Sequence, residues 1–361
     1  MIRTLIADDS AIVRAMLGQV IGDNQHFEIV GMAENGKHAV EMCLNLKPEL
    51  VIMDINMPIL NGIEAIAQIT QKMTTAIVAF TTEDTAEIGY QCLDAGAIEI
   101  IQKPNLATLD RQKIENFCEK LLTIADAYKK HSEIYGNLRN IYYARSLAKE
   151  IFKGKSQNDI NIKEEQSKFS VLAIGASTGG PIAIQKLLRN LGTSFPIPII
   201  ITQHIDEMFD CQFASWLSNT TGLKVKTAVN GEKLQAGQVY IAPSKKHLTL
   251  QQKSKEELTV LLDDSEEIHF LKPAVDKMFS SCARVTGKKT LAVLLTGMGQ
   301  DGALGMKEIL DAGGYTMAQS EKSCIIFGMP KAAIEMNAVK RVEDLDVMAE
   351  VIKQVSGAVR G

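Results

Sequence analysis

A serine lies in a glycine-rich turn near the middle of this 361-residue chain. The turn has the spacing Gly175-x-Ser177-x-Gly179, after an apolar run and before a helical pattern in which Pro181 suits the first turn. Small residues around a serine permit a tight strand-to-helix turn that projects the hydroxyl out of the sheet. The N-terminus of the new helix would stabilise an oxyanion there. The spacing predicts a nucleophile, although a turn that only reverses the chain, or one that binds a phosphate, fits it equally well.

Two later residues could activate this serine. A serine hydroxyl is a weak nucleophile until a histidine, oriented by a carboxylate, takes its proton. His204 follows an apolar run and therefore ends a strand, whereas His247 and His269 lie in less regular sequence. Asp301 opens a helix after a strand and a glycine-rich loop. We expect Asp301 to orient His204, although an aspartate at this place is also a common helix N-cap and both roles are compatible.

Polar side chains in the first hundred residues follow successive predicted strands. Asp8 and Asp9 follow the first strand, Asp54 ends the third, Thr81 ends the fourth and Lys103 follows the fifth. In a parallel sheet these groups share the carboxyl edge, where ligands bind. Crowded carboxylates favour Mg²⁺, and a carboxylate beside that ion can accept a phosphoryl group. Each residue alone has an ordinary structural role, but the five together predict a phosphoryl-transfer site.

Alternating strands and helices must position both sets of residues. This alternation predicts an α/β fold in which each parallel sheet is covered on both faces. A helix with one apolar stripe closes the first domain near residue 128. The first-half strands are expected at 4–7, 27–32, 50–53, 76–80 and 98–101, and the second-half buried strands at 171–174, 198–202 and 291–295.

The middle of the chain has a different composition. The segment 131–152 has a helical pattern, whereas 153–168 is rich in charge and is predicted as a linker. Short strands between turn residues predict that 225–262 forms an antiparallel hairpin excursion at a sheet edge. The expected parts are a first domain at 1–128, a helical connector and polar linker at 129–168, and a second domain at 169–361.

Composition restricts the class of protein. A net charge of −4 gives no general attraction to nucleic acid or to an anionic membrane. No apolar run approaches the ~20 residues that span a bilayer, and the start of the chain predicts a strand, not a signal peptide. The six cysteines are scattered without a Cys-x-x-Cys pair. They indicate reduced core thiols in a cytoplasmic protein, without a structural zinc site.

The first 128 residues resemble the receiver domain of two-component response regulators. The resemblance implies a flavodoxin-like five-stranded sheet of order 2-1-3-4-5, with a commonly cis peptide bond before Pro104. Ile100 departs from the family, because receivers often carry an aromatic switch residue there. The matching segments are Ala7-Asp8-Asp9-Ser10, Met53-Asp54-Ile55-Asn56-Met57-Pro58 with Gly62, Thr81, and Lys103-Pro104. The implied roles are Asp54 as phosphoacceptor, Asp9, Asp54 and the Asn56 carbonyl as Mg²⁺ ligands supported by Asp8, and Thr81 and Lys103 as phosphoryl-sensing groups.

The second half resembles the catalytic domain of the chemotaxis protein-glutamate methylesterases, a doubly wound α/β domain. Two departures from the family pattern are Ile205-Asp206 after the histidine, and Ser320 where an acidic residue is common. The matching segments are Gly175-Ala-Ser-Thr-Gly-Gly180, Gln203-His204, Leu295-Thr-Gly-Met-Gly-Gln-Asp-Gly302 and Ile326-Phe-Gly-Met-Pro-Lys-Ala332. The implied roles are Ser177 as nucleophile, His204 as base, Asp301 as its orienting partner, and Thr178 and Met298 as residues that line the oxyanion site.

Together the two resemblances imply a phosphorylation-activated hydrolase. Its expected substrates are glutamate γ-methyl esters on methyl-accepting chemotaxis receptors, with glutamine deamidation as a related activity. A chemotaxis histidine kinase is the expected phosphodonor, Mg²⁺ the receiver's cofactor, and no organic cofactor, nucleic acid or membrane insertion is expected. Two alternatives stay open: a receiver joined to a non-catalytic output domain such as a DNA-binding regulator, and a degenerate methylesterase that serves as a scaffold.

Overall fold

A computed structural model of the chain describes residues 1–82, 86–103, 111–130, 169–205, 207–254 and 257–357. The chain divides into two compact units, Met1–Lys163 and Glu164–Gly361. The connector helix and the linker predicted between 131 and 168 lie outside the described residues. No helix within the described ranges is long and apolar enough to cross a membrane.

The first unit contains a five-stranded sheet of order β2-β1-β3-β4-β5 in which every pair is parallel, as expected. The central strands β3 and β4 are buried along their whole length, which explains their continuous apolar sequence. The strands are β1 (Ile2–Ala7), β2 (Phe27–Ala33), β3 (Leu50–Asp54), β4 (Ala76–Thr81) and β5 (Glu99–Gln102). The helices are α1 (Ala11–Gly22), α2 (Gly36–Leu46), α3 (Gly62–Lys72), α4 (Ala86–Ala95) and α5 (Arg111–Lys130).

Helix α3 starts close to the end of β3. Asn61 caps it by accepting a hydrogen bond from the Glu64 N–H. Gly62 begins the helix, and a Cβ there would lie 2.0 Å from the Asp54 carbonyl oxygen. Only glycine permits this approach, so Gly62 fixes the turn that carries Asp54.

The second unit contains a seven-stranded sheet of order β14-β13-β12-β6-β7-β9-β8, again with only parallel pairs, and a two-stranded antiparallel sheet of β10 and β11. The chain leaves β6 toward β7 and later returns to β12 on the other side of β6. The switch point of this doubly wound sheet therefore lies between β6 and β12, where α/β proteins bind ligands.

The remaining elements belong to this second unit. The strands are β6 (Val171–Ala176), β7 (Ile199–Gln203), β8 (Lys224–Thr227), β9 (Gln238–Ile241), β10 (His247–Ser254), β11 (Glu257–Asp263), β12 (Thr290–Leu294), β13 (Tyr315–Gln319) and β14 (Arg341–Glu343). The α-helices are α6 (Gly180–Leu191), α7 (Asp210–Thr221), α8 (Val275–Val285), α9 (Ala303–Asp311), α10 (Met329–Glu335) and α11 (Leu345–Ser356). Short 3₁₀ turns lie at Glu207–Phe209, Gly287–Lys289 and Glu321–Ser323.

The predicted hairpin region 225–262 is correct only in its second half. Strands β10 and β11 form the antiparallel pair, but β8 and β9 pair in parallel and extend the main sheet. Strand β8 is the edge strand, and its burial alternates along the chain. An edge strand of a parallel sheet therefore has the same alternating pattern as a half-exposed antiparallel strand, and the sequence does not distinguish the two.

The antiparallel pair positions helix α8. Leu248 and Val260 from its two strands belong to the same buried cluster as Val275 and Phe279 of α8. The Ser281 hydroxyl accepts a hydrogen bond from the Leu250 N–H of β10, at 3.1 Å. Helix α8 is therefore packed against the antiparallel pair.

Candidate active site

Ser177 and His204 leave neighbouring strands at the same level. Ala176 and Gln203 are partners in the register of β6 and β7, and the His204 N–H donates to the Ala176 carbonyl at 3.1 Å. The buried Gln203 side chain donates through Nε2 to the carbonyls of Ser177 and His204, both at 2.9 Å. One amide therefore fixes the turns that carry both side chains.

The strand on the other side of β6 completes the turn of Ser177. The Ser177 N–H donates to the Thr296 carbonyl at 3.0 Å, and the Thr296 hydroxyl donates to the Thr178 carbonyl at 3.0 Å. Thr296 is itself held by its N–H, which donates to Gln319 Oε1 at 2.8 Å. A Cβ on Gly297 would lie 2.7 Å from the Ser177 Cβ, so glycine is required for this approach.

A hydrogen bond joins His204 and Asp301. His204 Nε2 lies 2.8 Å from Asp301 Oδ2, and the two side chains are only 11% and 2% exposed. The same carboxylate accepts the N–H of Val275 at 2.7 Å and that of Asp276 at 2.9 Å. Burial alone would raise the pKa of Asp301, but the His204 ring and these two donors hold that pKa below its usual value.

The alternative role considered for Asp301, as the N-cap of its own helix, is not the one that the structure shows. Gly302 is the N-cap of α9, in the left-handed conformation with a φ of 92°. The Asp301 carboxylate instead satisfies the first N–H groups of α8, whose N-cap residue Ala274 has no side chain that could do so. Asp301 is therefore both the partner of His204 and a cap. The helix that it caps is α8, which ends 16 residues before it in the chain.

Asp276 is a neighbour of the site that sequence analysis missed. It is buried, its Oδ1 accepts the Gly305 N–H at 2.8 Å, and its Oδ2 lies 3.7 Å from His269 Nε2. Burial and the charge of Asp301 raise its pKa to about 6. The sequence did contain a signal for Asp276, because it is an acidic residue on the apolar side of an amphipathic helix. Acidic side chains are usually exposed to solvent, so one at a buried position indicates a special role.

The other histidine of the hairpin region has a structural role. His247 is fully buried, its Nδ1 accepts the Ala274 N–H at 3.1 Å, and its Nε2 donates to the Glu266 carbonyl at 3.0 Å. Both ring nitrogens are therefore used to hold the loop before α8.

The two predicted lining residues flank Ser177. Thr178 is buried directly after it, and Met298 is half-buried directly after Gly297. Within the described ranges, no hydrogen bond uses the backbone N–H of Thr178 or Met298, and none joins the Ser177 hydroxyl to the His204 ring.

A second cluster lies at the carboxyl edge of the first sheet. Side-chain oxygens of Asp8, Asp9 and Asp54 all lie within 4.8 Å of one another. Lys103 Nζ is 2.8 Å from both Asp8 Oδ2 and Asp54 Oδ1. Burial raises the pKa of Asp54 against the opposing effect of Lys103. For Lys103 burial acts to lower the pKa, but its two carboxylate partners raise it above the usual value.

The remaining receiver residues lie around this cluster. Thr81 is fully buried at the end of β4, and its carbonyl accepts the Lys103 N–H at 2.7 Å. Asn56 is exposed in the loop after β3, and Ile100 is buried in β5. The peptide bond to Pro104, expected to be cis, lies outside the described residues.

Two family models match the chain, "CheB methylesterase" over residues 172–352 and "Response regulator receiver domain" over residues 4–114. A protein-glutamate methylesterase/protein-glutamine glutaminase of Methanococcus maripaludis is 35% identical, over 98% of this chain and 97% of that protein. The protein of the same name in Bacillus subtilis is 34% identical, over 96% of both chains.

This chain belongs to the CheB methylesterase family. Among solved structures, the Thermotoga maritima CheB methylesterase catalytic domain is 36% identical with a TM-score of 0.50, and the match covers 53% of this chain and 99% of that domain. These matches decide against a DNA-binding output domain, because the second half of this methylesterase is occupied by the catalytic domain itself.

One departure of this methylesterase from the family pattern has a local explanation. The Ser320 hydroxyl donates to the carboxylate of Asp344, the N-cap residue of α11. This hydrogen bond makes the largest contribution to lowering the pKa of Asp344, and Lys322 lowers that pKa further. A carboxylate is thus present beside residue 320 although the residue itself is not acidic. In the other departure, Ile205-Asp206, Asp206 lies outside the described residues.

Proposed function

We propose that this protein hydrolyses glutamate γ-methyl esters on methyl-accepting chemotaxis receptors, deamidates receptor glutamines by the same chemistry, and is activated by phosphorylation of Asp54. The catalytic part of this proposal rests on the buried 2.8 Å contact between His204 and Asp301, at the switch point beside Ser177. Family membership supports the substrate class, since full-length relatives carry the name protein-glutamate methylesterase/protein-glutamine glutaminase.

The proposed reaction is acyl transfer to a serine. Ser177 Oγ attacks the ester carbonyl while His204 takes its proton, through Nδ1 because Nε2 faces Asp301. His204 then gives that proton to the departing methoxy group, and methanol leaves. Water deprotonated by His204 attacks the acyl-enzyme and releases the glutamate and Ser177. For a glutamine substrate the same sequence releases ammonia.

Asp301 has two functions in this scheme. Its charge stabilises the imidazolium that forms in each step, and its bonds to the α8 N–H groups keep it from moving. The N–H groups of Thr178 and Met298 are the proposed oxyanion donors, because both flank Ser177. Donors of this kind are worth about 3–4 kcal/mol of transition-state stabilisation.

The first unit supplies the proposed switch. One Lys103 ammonium beside three carboxylates leaves two negative charges uncompensated, so the donor set fits a divalent cation with oxygen ligands. Asp8, Asp9, Asp54 and the Asn56 carbonyl would hold Mg²⁺, which neutralises phosphoryl oxygens when bound. Asp54 would then accept the phosphoryl group from a chemotaxis histidine kinase, with Thr81 and Lys103 contacting its oxygens.

We further propose three functional parts: a receiver at 1–128, a connector and linker at 129–168, and a catalytic domain at 169–361. A cytoplasmic location is consistent with the five cysteines at 43, 92, 118, 282 and 324, all of which are free and buried.

Methanol release from methylated receptor membranes tests this proposal, with and without a small phosphodonor and Mg²⁺. Release should require Ser177, and its stimulation by the donor should require Asp54. Release that is unchanged in Ser177→Ala would show that the triad is wrongly assigned. Phosphorylation of Asp54 without any release would favour a scaffold role, and stimulation that survives Asp54→Ala would place the phosphoacceptor elsewhere.

A further inference from the structure

An aromatic side chain near the triad is held in an unfavourable backbone conformation and points into solvent. Phe270 is 94% exposed, and it follows His269 in a two-residue turn closed by reciprocal hydrogen bonds between Ile268 and Leu271. His269 and Phe270 have φ values of 54° and 62°. Turns with two positive φ values normally use Asn-Gly or Asp-Gly, because larger residues are strained there. Burial of the ring does not offset this strain, so folding alone gives no reason for a phenylalanine.

A short series of contacts connects this turn to the triad. His269 Nε2 lies 3.7 Å from the Asp276 carboxylate, and the Asp276 N–H donates at 2.9 Å to Asp301, the partner of His204. Phe270 therefore adjoins His269, which contacts Asp276, and Asp276 in turn donates to Asp301. Strained residues that persist beside an active site commonly have a functional role.

A second exposed apolar side chain belongs to α9, the helix whose first turn also contacts Asp276. Leu304, in the first turn of α9, is 51% exposed, and its neighbour Gly305 donates to the other Asp276 oxygen at 2.8 Å. Phe270 and Leu304 are thus exposed residues that each adjoin, in the chain, a residue that contacts the Asp276 carboxylate. We call these two side chains the rim pair.

We propose that the rim pair is a docking element for the receptor segment that carries the ester, with Phe270 as its anchor. This inference rests on the proposed function. An ester on a protein side chain can reach Ser177 only if the surrounding segment contacts the surface near the site, and a helical segment presents apolar side chains on one face for such a contact. A small soluble ester needs no such contact. Anchors of interfaces are typically aromatic and lose solvent only on docking.

The experiment compares two substrates of the full-length protein, assayed with phosphodonor and Mg²⁺. Methylated receptor membranes report docking and chemistry together, and p-nitrophenyl acetate reports chemistry alone. Phe270→Ala should lower kcat/KM on receptors about tenfold, mainly through KM, and leave the small ester within about twofold. Leu304→Ala should show a smaller loss of the same kind. Phe270→Tyr should restore receptor activity because it keeps the ring.

Val229 provides the matched control. It is 57% exposed and follows the edge strand β8, two strands away from the strand of His204. Val229→Ala should change neither activity. Strain is tested by comparing Phe270→Gly with Phe270→Ala, which lack the same ring. The glycine variant should unfold at a temperature about 2–4 °C higher, because only alanine keeps the left-handed strain.

Each outcome has a defined meaning. Equal receptor activity of wild type and Phe270→Ala would overturn the docking role and leave the proposed function intact. Equal losses on both substrates would assign Phe270 to the architecture of the site, and higher activity of the unphosphorylated variant would assign it to a contact within the chain; both overturn the proposal. A wild type that cleaves the small ester but no receptor would overturn the proposed function, and this inference with it.

Discussion

Asp276 and Asp301 bind reciprocally to the starts of two helices, α8 and α9. Asp301, just before α9, accepts two N–H groups from the first turn of α8. Asp276, in that first turn, accepts the Gly305 N–H from the first turn of α9. The two helix starts are therefore locked together by carboxylates, and one of these carboxylates is the partner of His204. The support of the proposed base is thus part of the helix packing.

We expect Asp301→Asn to reduce kcat on a small ester by about 10³- to 10⁴-fold with little change in KM. The amide carries no charge to stabilise an imidazolium, and a loss of this size is typical when a triad aspartate is replaced. The variant should also lose about 1–3 kcal/mol in the free energy of unfolding. One amide oxygen cannot replace two carboxylate oxygens that accept three hydrogen bonds.

Urea unfolding and initial rates measure the two effects on the same preparation. Asp311→Asn is a matched control at the other end of α9, where the aspartate pairs with Lys307 on the surface. It should change neither quantity by more than about 0.5 kcal/mol or twofold. An Asp301→Asn enzyme with nearly normal kcat would exclude the aspartate from catalysis.

The pKa of Asp276 gives a prediction for the pH dependence of stability. Its folded pKa, raised to about 6, exceeds the usual value near 3.9. The folded chain thus binds this proton more tightly, so the ionisation of Asp276 lowers stability as the pH rises from about 4 to above 6. Asp276→Asn cannot ionise and should avoid that decrease. From pH 4 to 8 we expect wild type to lose about 2–3 kcal/mol more than the variant.

The comparison of slopes isolates Asp276 because the other ionisable groups are common to both proteins. Asp301 and His269 are the charged or titratable neighbours that act on it. Asp263→Asn is the control, because hydrogen bonds from Ser265 and Lys277 lower the pKa of Asp263 to about 2. Its contribution is complete above pH 4, so this control should be parallel to wild type between pH 5 and 8. Parallel curves for Asp276→Asn would show that its carboxylate titrates normally.

The sequence was sufficient to predict those features that depend on neighbouring residues and on general rules of α/β sheets. Strand ends in a parallel sheet share one edge, so the polar residues after β1, β3, β4 and β5 predicted a cluster that the structure contains. The glycines around Ser177 likewise predicted a tight turn between β6 and α6.

The sequence was insufficient where a role depends on an element that is distant in the chain. Asp301 stands where its own helix begins, yet its carboxylate caps α8, and only the packing of α8 on α9 reveals this. Asp276 was missed for the same reason, since its partner Gly305 is 29 residues away. Strand β9 was assigned to the wrong sheet because pairing direction depends on the neighbouring strand.

Gly297→Ala should displace Ser177, the proposed nucleophile, through crowding. An added Cβ would lie 2.2 Å from Met329 Sδ and 2.7 Å from the Ser177 Cβ. Because Ser177 is also held by its N–H bond to Thr296, its hydroxyl must shift with the backbone. A displacement of about 1 Å commonly costs about 10²-fold in rate, and overpacking costs about 1–3 kcal/mol in stability.

The matched control is Gly192→Ala. Gly192 has a φ of 79° with nothing within 4 Å of an added Cβ, so alanine there brings backbone strain without a clash. Because its ψ is 169°, Gly192 lies in a region that is essentially restricted to glycine, so that variant should lose about 1–3 kcal/mol in stability and keep its kcat. If Gly297→Ala kept the wild-type kcat at a similar loss of stability, the position of Ser177 would be less constrained than these contacts indicate.

Lys103→Met should separate metal binding from activation in the receiver. The Lys103 ammonium contacts both Asp8 and Asp54 at 2.8 Å, so its removal leaves three carboxylates without a cation. Mg²⁺ should therefore bind roughly tenfold more tightly to the unphosphorylated full-length chain, as measured by calorimetry. Stimulation of methanol release by the phosphodonor should be lost, because no ammonium remains to contact the phosphoryl oxygens.

Lys37→Met, which removes an exposed lysine in the first turn of α2, should change neither measurement. Weaker Mg²⁺ binding in Lys103→Met would show that the lysine organises the acidic cluster, and undiminished stimulation would remove it from the switch.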